Sequence, residues 1–265
     1  MTNDFKLKVD DLRRRFREYG SAVVALSGGV DSAVLAKVAH QELGDSMVAV
    51  TAKSPSVPAH DWNDAQRLCS EHDIPHTTVE SDEFERAEFV ANPADRCYHC
   101  KKALYDSLYA VADERGAVIV EGTNASDLEG HRPGYRASSE HENVRTPLIE
   151  SGITKAEVKM LANELGLDHV ADKPASACLS SRIPTGTKLE PETLARVDRA
   201  ESAIRALGIA VVRVRDHGNL ARIEVDPGDI EKVTTAREVI YSSLQKIGYR
   251  HITIDLKGYR PSTPY

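Results

Sequence analysis

Hydrophobic positions in the first two-thirds of the chain follow two alternating rhythms. Short runs rich in β-branched residues, at 22–26, 47–52, 77–79 and 117–120, predict strands. Between them, at 31–43, 58–72 and 101–115, apolar residues recur at helical spacing. Strands alternating with helices build right-handed crossovers onto a parallel sheet covered on both faces, an α/β fold. Such sheets bind ligands beyond the carboxyl ends of their strands, so the residues just after Leu26, Val50 and Val120 are the first places to look.

Further on, 154–165 predicts a helix with its own punctuation. Thr154 can cap it, Glu157 completes a capping box, and Gly166 stops it. The stretch 171–187, rich in Ala, Ser, Pro and Gly, reads as a functional loop leading into a linker. The pattern then changes to a helix at 191–207, strands at 211–215 and 220–225 around a turn at 216–219, a helix at 229–247 and a strand at 251–256. This αββαβ order predicts a small α+β domain. The expected organisation is thus a domain over 1–175 and a smaller one over 176–265, with a loose tail from Gly258. The first seventeen residues read as an amphipathic helix without the apolar core of a secretory signal, and no apolar run approaches the roughly 20 residues that span a bilayer. The expected location is the cytoplasm.

Charge and cysteine usage narrow the chemistry. A net charge of -7 argues against a broad nucleic-acid surface, which needs clustered Lys and Arg, but leaves room for a local basic patch. Four cysteines in a cytoplasmic chain point to metal ligation or catalysis more than to a disulfide framework.

The segment Val23-Val24-Ala25-Leu26-Ser27-Gly28-Gly29-Val30-Asp31-Ser32 runs from a strand through a glycine pair into a helix. Glycines let backbone N–H groups approach phosphate oxygens, and the helix N-terminus adds its positive dipole. Ser27 and Ser32 can donate to the same oxygens, and Asp31 can either hold Mg²⁺ or cap the helix. The alternative is an ordinary βα turn with a good cap, which two glycines alone would not exceed. The whole hexapeptide Ser27-Gly28-Gly29-Val30-Asp31-Ser32 resembles the loop of the PP-loop ATP pyrophosphatases and lacks the Gly-Lys-Ser/Thr ending of the Walker loop. The resemblance implies cleavage of ATP between its α and β phosphates and transfer of AMP to a substrate oxygen. Gly122, Thr123 and Asn124, after the strand at 117–120, are candidates for a second phosphate or ribose contact. An ordinary Gly-Asn turn is the alternative.

Cys97-Tyr98-His99-Cys100 precedes the helix expected at 101–115, and Cys178 lies in the loop at 171–187. A CxxC pair brings two sulfurs within reach of one metal or cluster, and a third cysteine can join through the fold. A three-thiolate [4Fe–4S] cluster, a zinc with His99 or His131 as fourth ligand, and plain buried thiols all fit the spacing. Cys69 recurs with Ala65 and Leu68 at helical spacing and reads as a small core residue.

Several segments in order resemble the LarE family of PP-loop sulfur-insertion enzymes. They are the Ser27–Ser32 loop, Arg96-Cys97-Tyr98-His99-Cys100-Lys101, Glu121-Gly122-Thr123-Asn124, Arg132-Pro133-Gly134, Asp172-Lys173-Pro174-Ala175 and Ala177-Cys178-Leu179-Ser180-Ser181-Arg182. Arg213-Val214-Arg215 and Ala221-Arg222-Ile223-Glu224 extend the match through the second domain. The resemblance implies that ATP with Mg²⁺ adenylates a carboxylate of a pyridinium-3,5-biscarboxylic acid mononucleotide and that sulfur displaces AMP. In some members the cysteine matching Cys178 gives up its own sulfur. Members with all three cysteines, as here with Cys97, Cys100 and Cys178, are expected to hold a [4Fe–4S] cluster and to need a sulfide source. Homo-oligomeric assembly is expected on the same resemblance. Arg213 and Arg215 alternate onto one strand face and could grip the substrate phosphate, or form salt bridges to Glu201 or Glu224. The rivals are a PP-loop tRNA thiolase, an amidating synthetase and a non-catalytic nucleotide-binding module.

Overall fold

The computed structural model describes residues 3–128, 133–174 and 176–260. Its chain divides into two units: Met1–Ser54, Ala59–Phe89 and Asp95–Lys173 make the first, and Pro55–Pro58, Val90–Ala94 and Pro174–Tyr265 the second. The two short excursions into the second unit are not foreseen by a single linear boundary at 175.

In the first unit, α1 (Asn3–Tyr19) leads into β1 (Ala22–Ala25), α2 (Val30–Leu43), β2 (Met47–Lys53), α3 (Ala59–Glu71) and β3 (His76–Glu80). After α4 (Ala87–Val90) come α5 (Arg96–Arg115), β4 (Val118–Val120), α6 (Pro133–Glu140), β5 (Val144–Arg145), α7 (Pro147–Glu150), α8 (Lys155–Glu164) and α9 (Asp168–Ala171). The five strands form one parallel sheet in the order β3-β2-β1-β4-β5. Strand side chains alternate between the faces. Ala22 and Val24 of β1 join Phe5, Leu12 and Phe16 of α1, Leu35 of α2 and Leu161 of α8 on one side, while Val23 joins Tyr105 and Leu108 of α5 on the other. Removing one such buried Leu typically costs about 2–5 kcal/mol. Because β2 and β3 lie to one side of β1, and β4 and β5 to the other, the topology reverses between β1 and β4. The crevice at such a switch point is where open α/β sheets bind ligands.

The capping box of α8 is present as expected: Glu157 N donates to the Thr154 hydroxyl and Thr154 N donates to the Glu157 carboxylate at 2.8 Å. Gly166 follows at φ +73, a left-handed stop suited to glycine. One boundary differs in a way that matters. α5 begins at Arg96 rather than near 101, so the CxxC pair lies within its first turns instead of before them.

In the second unit, α10 (Pro191–Arg205) precedes the antiparallel hairpin of β6 (Val212–His217) and β7 (Leu220–Val225). α11 (Ile230–Thr235) and α12 (Arg237–Ile247) then cross over to β8 (His251–Ile254), which pairs parallel to β7. The single helix expected at 229–247 breaks at Ala236, after Thr234 and Thr235, β-branched residues with low helix propensity. Val212 and Val214 pack with Ala200, Ile204, Ile223 and Leu244 in this unit's core. The tail is not loose where it begins: Tyr259 N donates to Val225 O at 2.7 Å, and a Cβ on Gly258 would lie 2.7 Å from that carbonyl. Residues 261–265 lie outside the described ones.

Candidate functional site

The loop after β1 is shaped by its two glycines differently. Gly28 has φ +76, and a Cβ there would sit 2.4 Å from the Asp61 carbonyl oxygen. Only glycine fits. Gly29, the N-cap of α2, has φ -90 and its Cβ would make ordinary contact with Ser27 Oγ at 3.5 Å. The Ser32 hydroxyl donates to Gly29 O at 3.0 Å, accepts from Ser27 N at 3.2 Å, and lies 3.2 Å from Ser27 Oγ. Ala33 N donates to Gly29 O at 3.0 Å, so the amides of Val30, Asp31 and Ser32 stand ahead of this bond in the first turn of α2. Such amides are the donors a helix N-terminus presents to an anion.

Asp31 does not cap α2, whose N-cap Gly29 has no side-chain cap bond. Its carboxylate instead accepts from Asn124 Nδ2 at 3.1 Å and from the Lys155 ammonium. Asn124 Nδ2 also donates to Asp127 Oδ2 at 2.8 Å, so Asp31, Asn124, Asp127 and Lys155 form one group at the ends of β1 and β4. Gly122 permits this closeness, since a Cβ there would lie 3.1 Å from Ser32 N. The Thr123 hydroxyl donates to Glu121, whose carboxylate also pairs with Lys101. Burial works to lower the Lys101 pKa, but the Glu121 carboxylate raises it above the ordinary value. Lys173 closes the other side, donating to Gly28 O at 3.2 Å and to Asp61 and Asp64 at 2.7 Å each. Sequence reasoning gave Lys155, Asp127, Asp61 and Lys173 no role. The signals were there only in part: Lys155 follows the cap Thr154, and Lys173 lies in the quoted Asp-Lys-Pro-Ala segment.

Cys97 and Cys100 are three residues apart on α5, a spacing that puts them on one face. Cys100 Sγ donates to Glu83 Oε2 at 3.2 Å, and the buried Glu83 also accepts from the Ser54 hydroxyl. Cys97 is exposed, and all four cysteines are thiols. Cys69 is buried, as expected, and burial pushes its thiol up to about 11, which keeps it unreactive near neutral pH. Two thiols on one helix face suit a metal or cluster edge. Among the described residues, no group of three or more His, Cys, Asp or Glu is arranged to hold a metal ion. Cys97 and Cys100 belong to the first unit and Cys178 to the second. For the zinc alternative, His99 Nε2 lies 3.7 Å from Asp95 Oδ1, while His131 is outside the described residues.

In the second unit, Arg213 and Arg215 are both buried. Arg215 realises the salt-bridge alternative, pairing with Glu224 at 2.8 Å and donating to Ser181 O at 2.7 Å. Arg213 stacks over the Tyr259 ring at 4.8 Å and donates to Val212 O. Burial first, and the charge of Arg182 second, hold its pKa below the ordinary value. Arg182 and Glu201, both fully buried, form a two-pronged pair at 2.8 and 3.1 Å. Burial works to raise the Glu201 pKa, but Arg182, Arg205 and Arg213 more than offset it and hold the carboxyl down.

A parallel sheet whose central strand enters a helix through a paired-glycine loop, with the topology reversing at that strand, defines a PP-loop nucleotide-binding domain. A family model described as NAD synthase matches residues 6–192. The chain is 36% identical over 241 residues, 89% of its length and 86% of the relative's, to the pyridinium-3,5-bisthiocarboxylic acid mononucleotide synthase of Lactiplantibacillus plantarum. It is 41% identical over 256 residues to an uncharacterised protein of Synechocystis, covering 96% and 95% of the two chains. A tRNA-specific 2-thiouridylase of Rickettsia peacockii is 29% identical over 192 residues, 58% of this chain and 52% of the relative. The chain belongs to the NAD synthase family of PP-loop proteins and, within it, to the LarE-type ATP-using sulfurtransferases.

Proposed function

We propose that this chain uses ATP with Mg²⁺ to adenylate a carboxylate of pyridinium-3,5-biscarboxylic acid mononucleotide, and then replaces AMP with sulfur to give a thiocarboxylate. The observation that carries this reading is the extent of the match. It runs over 89% of the chain for the mononucleotide synthase but over 58% for the tRNA thiouridylase.

In the first step a carboxylate oxygen attacks the α-phosphorus and pyrophosphate leaves. The amides of Val30, Asp31 and Ser32, with the Ser27 and Ser32 hydroxyls, hold the phosphates, and Gly28 and Gly29 let them approach. Asp31 binds Mg²⁺; the Lys155 ammonium against its carboxylate supports a position that favours a cation. Gly122, Thr123 and Asn124 line the nucleotide from the β4 side. In the second step sulfur attacks the acyl carbon, the bond to the adenylate oxygen breaks, and AMP leaves. Cys97, Cys100 and Cys178 would hold a [4Fe–4S] cluster, which would supply an exchangeable sulfide drawn from a sulfide source. The CxxC pair on one face of α5 favours this over loss of sulfur from Cys178, which would require no other cysteine. Arg213 and Arg215 are the residues for the substrate phosphate, which requires Arg215 to give up its pairing with Glu224. Burial and then the charge of Arg182 hold the Arg213 pKa down, and an anion there would offset the charge of Arg182. The protein acts as a cytoplasmic homo-oligomer, on composition and family resemblance.

Release of AMP and pyrophosphate measured with the mononucleotide, with tRNA and with neither tests the assignment. Turnover dependent on the mononucleotide supports it, and turnover dependent on tRNA overturns it. Iron and acid-labile sulfide analysis after anaerobic purification, with the mass of the Cys178 peptide after turnover, tests the sulfur source. Dehydroalanine at 178 with Cys97→Ser and Cys100→Ser still active contradicts the cluster. Light scattering that reports a monomer contradicts the oligomer.

A further inference from the structure

We propose that Arg182 and Ser181 are positioning residues that fix the backbone of Cys178 and so aim its sulfur. The proposal rests on the reading that Cys178 takes part in sulfur transfer. Three donors converge on the Cys178 carbonyl: Ser181 N at 3.0 Å, the Ser181 hydroxyl at 2.8 Å and Arg182 Nη1 at 2.9 Å. Arg182 Nη1 also donates to the preceding carbonyl, Ala177 O, at 2.6 Å and to Ser181 Oγ at 3.0 Å. In the same peptide group as the Cys178 carbonyl, Leu179 N donates to Ser56 O at 2.8 Å, while the peptide before Cys178 is held through Ala177 O. A carbonyl oxygen has two lone pairs, so three donors leave it no unused acceptor capacity. With both peptide groups that flank Cys178 held, χ1 is the main freedom left to the half-buried thiol.

The anchor behind this clamp is rigid. Arg182 is 0% exposed, and its Nε and Nη2 are occupied by the Glu201 carboxylate, itself 0% exposed and accepting from Val214 N at 3.0 Å on β6. A buried ion pair is rarely more stabilising than apolar residues of the same volume. Its use here is geometric: the planar guanidinium, held flat by Glu201, has one nitrogen left to reach two successive carbonyls. A lysine ammonium is a single point donor without that fixed fork.

The variants are Arg182→Lys, which keeps the charge beside Glu201, and Ser181→Ala, which removes one donor with little volume change. Each is compared with the parent for melting temperature, ATP-dependent pyrophosphate release, kcat and KM for sulfur transfer, and the iodoacetamide rate at Cys178 read by peptide mass in cluster-free protein. Expected are parental pyrophosphate release, kcat for sulfur transfer lower by roughly ten- to hundredfold in Arg182→Lys with KM little changed, and faster alkylation at Cys178 but not at Cys97 or Cys100. Ser181→Ala should shift both readouts in the same direction by less. If Arg182→Lys melts early or loses pyrophosphate release, Ser181→Ala decides. Parental alkylation at Cys178 in every folded variant overturns the clamp. A parent that makes no thiocarboxylate overturns the functional reading instead, and the alkylation rates still decide the clamp.

Discussion

Gly28 and Gly29 looked equivalent in the sequence, and their surroundings separate them. The positive φ at Gly28 costs a non-glycine residue roughly 1–2 kcal/mol, and the Asp61 carbonyl 2.4 Å from its Cβ adds a clash. Gly28→Ala should therefore melt below the parent. Gly29→Leu meets no such strain and should melt close to the parent, yet lose ATP-dependent pyrophosphate release because its side chain fills the path to the amides. A Gly29→Leu protein that releases pyrophosphate normally would show that phosphates bind elsewhere. Cys69→Ser should keep turnover but lose stability, by about 1–3 kcal/mol, for burying a hydroxyl in an apolar cluster; denaturant melts check this. The hexapeptide was legible because its six residues act locally. Lys155 and Lys173 were not, because the groups they hold lie 124 and 145 positions away, at Asp31 and Gly28.

Elements were legible where burial imposes a period and blurred where it does not. In α5 the buried side chains are Ala103, Tyr105, Leu108 and Ala112, so the apolar rhythm starts about two turns after the helix does at Arg96. β5 is two residues long and leaves too little pattern to see. α1 was visible from its apolar face of Phe5, Val9, Leu12 and Phe16, and it carries a pH-dependent tie. Burial works to raise the Asp11 pKa, but hydrogen bonds from Arg14, Arg15 and Ser151 hold it at about 2. A depressed carboxyl stabilises the fold above its unfolded value, 3.8, and that contribution is lost as pH falls from there towards about 2. Asp11→Asn should thus melt below the parent at neutral pH, with the gap closing across this window. A gap that stays constant down to pH 2 would mean Asp11 is not tied in this way.

At the scale of the whole chain, the α/β class and the mixed α+β C-terminal part could be read from the order of elements. The assignment of Pro55–Pro58 and Val90–Ala94 to the second unit could not, because it rests on long-range bonds such as Leu179 N to Ser56 O and Asn92 Nδ2 to Pro184 O. The described residues contain no helix long and apolar enough to cross a membrane. What separates sulfurtransferase from amidating synthetase and tRNA thiolase, all built on similar nucleotide loops, is the acceptor and the nucleophile. The direct measurement is mass spectrometry of the product formed anaerobically from ATP, Mg²⁺, sulfide and pyridinium-3,5-biscarboxylic acid mononucleotide, with parallel reactions containing ammonium or tRNA. The expected product has one carboxylate oxygen replaced by sulfur, with AMP and pyrophosphate formed in equal amounts. An amide from the ammonium reaction, or a thiolated tRNA, with no thiocarboxylate in either case, would contradict it.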